Sequence, residues 1–141
     1  MSLGYPGAAE EKEMCRRVQQ QHPIETLIAV TTADQILKCQ RGVREILVGS
    51  EVCDYLVALV RATREHSALK LGASPRGSLG LFRAAQSLAA IQGQASVSID
   101  HVKAVAEPVL AHRLLLRHDA QKDYPDRAAV IKEIVTRLAA A

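Results

Sequence analysis

Aliphatic residues recur at helical spacing over residues 49–65, and this pattern constrains the fold more than any other feature of the chain. Gly49-Ser50-Glu51 is a favourable helix start. The apolar side of the segment that follows consists of Val52, Leu56, Leu59, Val60 and Thr63. The opposite side carries Asp54, Arg61, Arg64 and Glu65. One apolar side and one charged side predict an amphipathic helix that packs against other helices.

The composition favours further helices as the neighbours of this segment. The 141-residue chain has no Trp and a single Phe, Phe82, although 48% of its residues are hydrophobic. Its core must therefore be built from Leu, Val, Ile and Ala, which suit closely packed helices. The length is typical of one domain with its own core. We predict an all-α fold, a helical bundle of about five or six helices with at most a very short strand pair.

Start and stop signals place the other helices. Residues 32–35 fit a capping box with Gln35 at the third helical position, and Gly93 is a stop signal. The predicted helices cover about residues 8–20, 33–43, 51–65, 75–92, 99–112 and 125–138. Pro108 is expected to kink or split the fifth helix. Residues 24–30 are apolar and β-branched, and their pattern leaves a small strand and an extended linker as open alternatives.

Three further predictions concern which residues enter the core. In the fourth helix, one apolar side is assigned to Leu79, Phe82, Ala85, Gln86 and Ala89, and it is widened by Leu81, Leu88 and Ile91. The leucines at 114–116 are expected to be buried. The cysteines, Cys15, Cys39 and Cys53, are odd in number and widely spaced, which favours buried thiols in a reducing cytoplasm over disulfides or zinc.

Charge and residue pattern argue against several classes of function. The net charge of +3 is mild, and aromatic residues that could stack on bases are nearly absent, so no nucleic-acid partner is expected. No apolar run is long enough to span a bilayer, so no membrane span is expected. The five histidines show no paired spacing, and no metal site is predicted.

One loop carries most of the functional information, Gly72-Ala73-Ser74-Pro75-Arg76-Gly77-Ser78. Ser74 can cap a helix with its hydroxyl, and Pro75 suits the first helical position. Arg76 then projects from a helix N-terminus, where free N–H groups favour anions and a planar guanidinium fits phosphate. On these residues alone, a phosphate sensor and an ordinary capped helix with a solvated arginine both remain open.

Several motifs, in order, resemble one family. Tyr55-Leu-Val-Ala-Leu-Val-Arg-Ala-Thr-Arg-Glu65 is similar to the helix that precedes the second sensor motif in MoxR-type AAA+ ATPases. Leu71-Gly-Ala-Ser-Pro-Arg-Gly-Ser78 resembles that sensor 2 motif, and Val105-Ala-Glu-Pro-Val-Leu-Ala-His-Arg113 resembles the following helix. Gly4-Tyr5-Pro6, with Glu10 and Glu11, is similar to the segment that joins the ATPase core to its lid. The resemblance covers nearly the whole chain.

The resemblance implies a C-terminal lid domain in which Arg76 is the sensor 2 residue and contacts the γ-phosphate of ATP. Arg76 would then be catalytic only in the intact parent. Gly72, Ser74 and Pro75 would shape the loop and the cap of this nucleotide-binding site. Tyr5 and Pro6 would lie near the adenine or serve as a hydrophobic anchor. Lys70 and Arg83 would add positive potential or remain solvated surface charges.

The chain lacks the motifs that bind and hydrolyse ATP in the whole ATPase. No G-x-x-x-x-G-K-[ST] phosphate loop occurs in it, and the Walker B pair, sensor 1 and the arginine finger have no match. We therefore expect no ATP hydrolysis by the chain alone, and ATP with Mg²⁺ only in the intact parent. Residues 1–3 are expected to be a cloning leader, 4–33 the core-to-lid junction and 34–141 the lid of an excised piece. Cys15 and Cys39 are interpreted as core substitutions.

The partners implied by the family are the chain's own AAA+ core and neighbouring subunits of a ring, expected to be a hexamer. A cytoplasmic chaperone function is implied, with a von Willebrand factor type A domain protein as a further partner. The alternative is a free-standing helical module that binds nucleic acid or protein. Its basic face would comprise Arg61, Arg64, Lys70, Arg76 and Arg83.

Overall fold

A computed structural model of the chain describes residues 4–19 and 22–139. The chain divides into two compact units, Met1–Lys38 and Cys39–Ala141. The leader assigned to residues 1–3 lies outside the described residues, as does Gln20, the predicted end of the first helix.

The first unit contains helix α1, Ala8–Val18, a 3₁₀ turn, Pro23–Thr26, and the beginning of helix α2, Ala33–Arg44. The predicted capping box at α2 is confirmed. The Thr32 N–H donates to Gln35 Oε1 at 2.9 Å, and the Gln35 N–H donates to Thr32 Oγ1 at 3.3 Å. Residues 27–30 form no regular element, so the strand alternative for 24–30 is wrong.

The interpretation of Cys15 and Cys39 as core substitutions is also wrong. Both thiols are exposed, whereas Cys53 on the next helix is half-buried. The physical reason is that neither α1 nor α2 buries any residue, so these thiols have no core to enter.

The second unit holds the core. Its helices and strands in chain order are α3 (Ser50–Glu65), β1 (Leu69–Leu71), α4 (Pro75–Ile91), α5 (Ile99–Leu110), β2 (Leu115–Leu116) and α6 (Arg127–Ala139). Two 3₁₀ turns, Ala111–Arg113 and Asp119–Lys122, flank β2. Strand β1 pairs antiparallel with β2, Leu69 opposite Leu116 and Leu71 opposite Leu115. Within the described ranges the chain thus has six α-helices and one short strand pair, and the predicted fold class is confirmed.

Helix α3 agrees with the sequence pattern residue by residue. Its buried residues are the five predicted ones, Val52, Leu56, Leu59, Val60 and Thr63. The charged side is exposed, as the pattern also predicted. Periodicity was sufficient for α3 because this helix has a single continuous apolar stripe. Helix α6 buries Val130, Ile131 and Ile134.

The apolar side predicted for α4 is partly wrong. Leu79 is 70% exposed and Ile91 is 82% exposed, whereas Leu81 is fully buried. Helix α4 packs mainly against α5, and its buried residues are Gly77, Leu81, Ala85, Gln86 and Ala89. The buried residues of α4 include glycine and alanine where α5 approaches, so the fit between the two helices determines which side of α4 is buried. Leu79 and Leu81 are equally hydrophobic, so hydrophobicity alone could not distinguish them.

Two predictions near the end of α5 also need correction. Pro108 does not split α5, which continues to Leu110 before the 3₁₀ turn begins, and a kink at Pro108 stays a prediction. Of the leucines at 114–116, only Leu114 is fully buried, while Leu115 is 44% exposed. Because Leu115 and Leu116 form a strand, their side chains point to opposite faces and cannot both enter the core.

A small polar network joins α6 to the end of α3. The Tyr124 hydroxyl donates to Glu133 Oε2, and His66 Nε2 lies 3.5 Å from Glu133 Oε1. Because His66 Nδ1 accepts the Ala68 N–H at 3.2 Å, the ring proton of the neutral imidazole is assigned to Nε2, the nitrogen that faces Glu133. The Tyr124 hydrogen bond, with His66 as a smaller cause, holds the pKa of Glu133 below its ordinary value.

Replacing Leu81 and Leu79 by alanine tests the corrected face of α4. Leu81→Ala should lower the free energy of unfolding by about 2–5 kcal/mol, because it leaves a cavity in the core. Leu79→Ala is the matched control and should change it by less than about 0.5 kcal/mol. Urea unfolding followed by circular dichroism measures both. Equal losses for the two variants would contradict the assigned face.

The Glu133 network predicts a pH dependence. Since the folded-state pKa of Glu133 is depressed, the network stabilises the fold above the unfolded-state pKa, and the contribution is lost as pH falls through the folded-state pKa. Tyr124→Phe removes the main cause of the shift. Urea unfolding at neutral and acidic pH should therefore show a smaller acid-side loss of stability in Tyr124→Phe than in the unaltered chain. An identical pH profile would rule out this assignment.

Candidate functional site

The loop before α4 is pressed against the last turn of α3. A Cβ atom added at Gly72 would lie 2.5 Å from the Thr63 carbonyl oxygen and 2.6 Å from the Arg64 Cα. Both contacts are with backbone atoms, which cannot swing away as the end of a side chain can. Gly72 is therefore required by close packing, and its place in the site is to let the loop lie directly on α3.

Two side chains of α3 hold the next residue of the loop through its backbone. Thr63 Oγ1 accepts the Ala73 N–H at 2.9 Å and donates to the Val60 carbonyl at 2.6 Å. Arg64 Nε donates to the Ala73 carbonyl at 2.8 Å. Ala73 is only 1% exposed, so these bonds satisfy two backbone groups that burial would otherwise leave unpaired.

These roles of Thr63 and Arg64 were missed by the sequence analysis, which assigned them to the apolar and charged sides of α3. One signal was available for Thr63. A hydroxyl on a buried helix side needs a partner, and bonding to its own helix leaves the oxygen free to accept a second bond. No comparable signal was available for Arg64, because its acceptor is a backbone carbonyl nine residues away.

Helix α4 begins at the predicted residues, but the predicted capping hydrogen bond is not formed. Ser74 is the N-cap with extended backbone, and Pro75 occupies the first helical position as predicted. The predicted cap by the Ser74 hydroxyl is wrong, since that side chain accepts no hydrogen bond from the helix. Instead the Ser74 carbonyl accepts the Gly77 N–H at 2.7 Å, which uses the donor that the hydroxyl would have taken.

Arg76 lies in the first turn of α4 and is exposed, as predicted. The first turn carries no acidic residue, and within residues 4–19 and 22–139 no hydrogen bond or ion pair involves the Arg76 side chain. A cation at a helix N-terminus is disfavoured by the helix dipole. The arrangement therefore leaves a guanidinium without a partner among the described residues at a helix N-terminus, where an anion would relieve the unfavourable charge.

The other two predicted cations differ from each other. Lys70 is exposed on β1. Arg83 donates from Nη1 to Gln86 Oε1 at 2.8 Å, and its guanidinium lies 5.7 Å from the centre of the Phe82 ring. Gln86 in turn donates to the Ile46 carbonyl at 2.8 Å. Arg83 thus takes part in a link within the second unit.

Tyr5 and Pro6 belong to the first unit, and both are exposed there. Their assignment to the adenine side, or to a hydrophobic anchor, stays a prediction. In the second unit, buried His101 has a structural task, because its Nδ1 accepts the Ser98 N–H at 2.9 Å and its Nε2 bonds Gln92 Oε1 at 2.8 Å. The described part of the chain holds no cluster of three or more potential metal ligands. It also contains no helix long and apolar enough to cross a membrane.

Comparison with known families identifies the class of domain. A family model described as the AAA lid domain matches residues 61–134, just over half of the chain. This match spans the end of α3, the strand pair, the Arg76 loop and most of α6. The chain therefore belongs to the AAA lid domain family.

Individual relatives narrow the class. The chain is 34% identical to chaperone MoxR1 of Mycobacterium tuberculosis, over 99% of this chain and 39% of that protein. It is 32% identical to the uncharacterised protein YeaC of Bacillus subtilis, over 96% of this chain and 42% of that protein. The chain thus spans about two fifths of the length of these relatives. Its resemblance to a MoxR-like AAA+ lid domain is confirmed.

A solved structure agrees in fold. A protein from Cytophaga hutchinsonii with a provisional ATPase assignment matches with a TM-score of 0.81 and 24% sequence identity. The match covers 95% of this chain and 43% of that one. At this level of identity the likeness shows the fold alone.

Substitution of Gly72 tests whether close packing fixes the loop. Gly72→Ala should lower the free energy of unfolding by about 1–3 kcal/mol, because a methyl group would collide with the backbone of α3. Gly42→Ala is the control, since a Cβ there meets nothing within 4 Å and alanine favours the α2 helix by up to about 1 kcal/mol. Urea unfolding of both variants provides the measurement. A harmless Gly72→Ala would mean that the loop is not held as described.

Proposed function

We propose that the chain is the C-terminal lid of a longer MoxR-type AAA+ ATPase, and that Arg76 is its sensor 2 residue. Arg76 would contact the γ-phosphate of ATP that is bound mainly by a core domain outside this chain. The observation that carries the proposal is the exposed Arg76 guanidinium, which has no partner within the described ranges and projects from the first turn of a helix whose preceding loop is fixed to α3.

The electrostatics of phosphoryl transfer support this role. Negative charge spreads over the phosphoryl oxygens in the transition state, and positioned cations lower its energy. Arginine remains charged and offers a planar fork of donors that matches phosphate. Mg²⁺ and the other phosphate-binding groups would come from the core, which the chain does not contain.

The anchored loop supports a mechanical role for the lid. Ala73 is hydrogen-bonded to Thr63 and Arg64, so a force on Arg76 is transmitted to α3. From α3 it reaches the hydrophobic core of the lid, against which α3 packs. Loss of the γ-phosphate would remove the contact between the lid and the AAA+ core domain. The lid could then rotate as a unit, which would couple hydrolysis to chaperone-like motion.

The wider setting follows from the same proposal. Residues 4–33 would form the core-to-lid junction, with Tyr5 and Pro6 near the adenine, and residues 34–141 would form the lid. The parent would act in the cytoplasm as a ring, a hexamer in our proposal, with a von Willebrand factor type A domain protein as partner. Similarity to a protein named as a chaperone supports the chaperone function.

The alternative, a basic module for nucleic acid or protein, gains no support from the side-chain contacts. Arg64 is bonded to the Ala73 carbonyl and Arg83 to Gln86. Two of the five cations proposed for a basic face therefore have partners within the domain.

The test is ATP turnover by the intact ATPase. Arg76→Ala should slow turnover about 100-fold or more, because it removes a cation from the developing phosphate charge. Arg61→Ala is the matched control, since Arg61 is an exposed arginine on the charged side of α3. Arg76→Lys separates charge from geometry and should recover only part of the rate.

Four results would contradict the proposal. Unchanged turnover in Arg76→Ala would show that Arg76 is not the sensor 2 residue, although the chain would still have the fold of a lid. An equal loss in Arg61→Ala would indicate a diffuse charge effect. Loss of the folded domain in Arg76→Ala, measured by circular dichroism, would assign Arg76 a structural role. Turnover by the 141-residue chain alone would also be incompatible with the proposal.

A further inference from the structure

We propose that Arg113 is a second phosphate-binding residue, which contacts the terminal phosphates of the nucleotide beside Arg76. This inference rests on the proposed function and adds a residue to the same site. Arg113 ends the motif Val105-Ala-Glu-Pro-Val-Leu-Ala-His-Arg113, to which the sensor 2 role of Arg76 gives no task.

The first step is the orientation of the Arg113 side chain. Arg113 ends the 3₁₀ turn that follows α5, and its Nε donates to the Val109 carbonyl at 3.0 Å. This bond uses the inner nitrogen of the guanidinium, and within the described ranges no hydrogen bond uses the outer nitrogens. The side chain is exposed, so those outer nitrogens remain available to a ligand.

The second step is the surface that Arg113 crosses. Its Cδ lies 3.9 Å from where a Cβ of Gly77 would be, and its Nη2 lies 3.8 Å from where a Cβ of Gly80 would be. Both glycines belong to the first two turns of α4. The Arg113 side chain therefore lies over the α4 surface that glycine leaves open, beginning one residue after Arg76.

The third step is the separation of the two arginines. Arg76 and Gly80 are four residues apart on one helix, so their Cβ positions are about 6 Å apart. Adding the 3.8 Å from Gly80 to Arg113 Nη2 places that nitrogen within about 10 Å of the Arg76 Cβ. An arginine side chain is long enough for its guanidinium to meet Arg113 at one polyphosphate.

The fourth step is charge. Within the described residues neither Arg76 nor Arg113 has an acidic partner, and Glu107, the acid nearest in sequence on α5, lies 3.5 Å from Lys132. Two uncompensated cations within reach of each other repel, and an anion bound by both removes the repulsion. Because two guanidinium groups match the added charge of a triphosphate, Arg113 should favour ATP over ADP.

The test is equilibrium binding of a non-hydrolysable ATP analogue and of ADP to the intact ATPase. Arg113→Met keeps an apolar stem over the glycines and removes the charge. It should weaken binding of the analogue about tenfold and change ADP binding less than about twofold. Arg113→Lys should retain most of the affinity, and Arg61→Ala should bind as the unaltered protein does.

A double variant and a stability measurement separate binding from structure. If both arginines hold one phosphate group, the losses in Arg76→Ala and Arg113→Met should not add in the double variant. Analogue binding that is unchanged in Arg113→Met but weakened in Arg76→Ala would overturn this inference and leave the proposed function standing. Equal weakening of both nucleotides, with a lower unfolding temperature, would show that Arg113 is structural and would also overturn it. Full turnover in Arg76→Ala would instead overturn the proposed function.

Discussion

The site depends on how two α3 side chains satisfy the backbone of one buried residue, Ala73. Thr63 accepts its N–H, Arg64 donates to its carbonyl, and Gly72 allows the chain to approach closely enough for both bonds. A buried backbone group without a partner would be costly, so this contact strongly favours one position of the loop. The position of Arg76, four residues beyond Gly72, follows from it.

Small residues are the second structural requirement, because they decide how α4 and α5 meet. The buried side of α4 combines Leu81 with glycine and alanine, and the core as a whole is aliphatic. Such a surface lets α5 approach closely, and the 3₁₀ turn after it then brings Arg113 onto α4 next to Gly77 and Gly80. Packing in the core and the charge at the surface are therefore linked, since the glycines that admit α5 also leave room for Arg113.

Arg76 and Arg113 differ from the other cations of this region in where their guanidinium groups lie. Arg64 and Arg113 each donate Nε to a backbone carbonyl, of Ala73 and Val109 respectively, and Arg83 donates Nη1 to Gln86. Arg76 has no such bond within the described ranges, and Arg113 lies over the first two turns of α4. Exposed surface charge is ordinary in proteins, but cations held without counter-charge beside a helix N-terminus favour an anionic ligand. This contrast is the physical basis for proposing a phosphate-binding lid.

The sequence by itself determined the number and approximate bounds of the helices, because capping residues, prolines, Gly93 and one-sided apolar stripes act locally. It also determined the buried side of α3 and the exposure of Arg76. Tertiary structure alone decided that Leu81 and not Leu79 enters the core, because the shape of α5 selects among apolar residues. It alone brought Arg64 to Ala73 and Arg113 to Gly80, since these contacts join elements that are distant along the chain and leave no local pattern. The Ser74 hydroxyl failed as a cap for a related reason: a local motif shows which bond is available, and the folded backbone determines which is made.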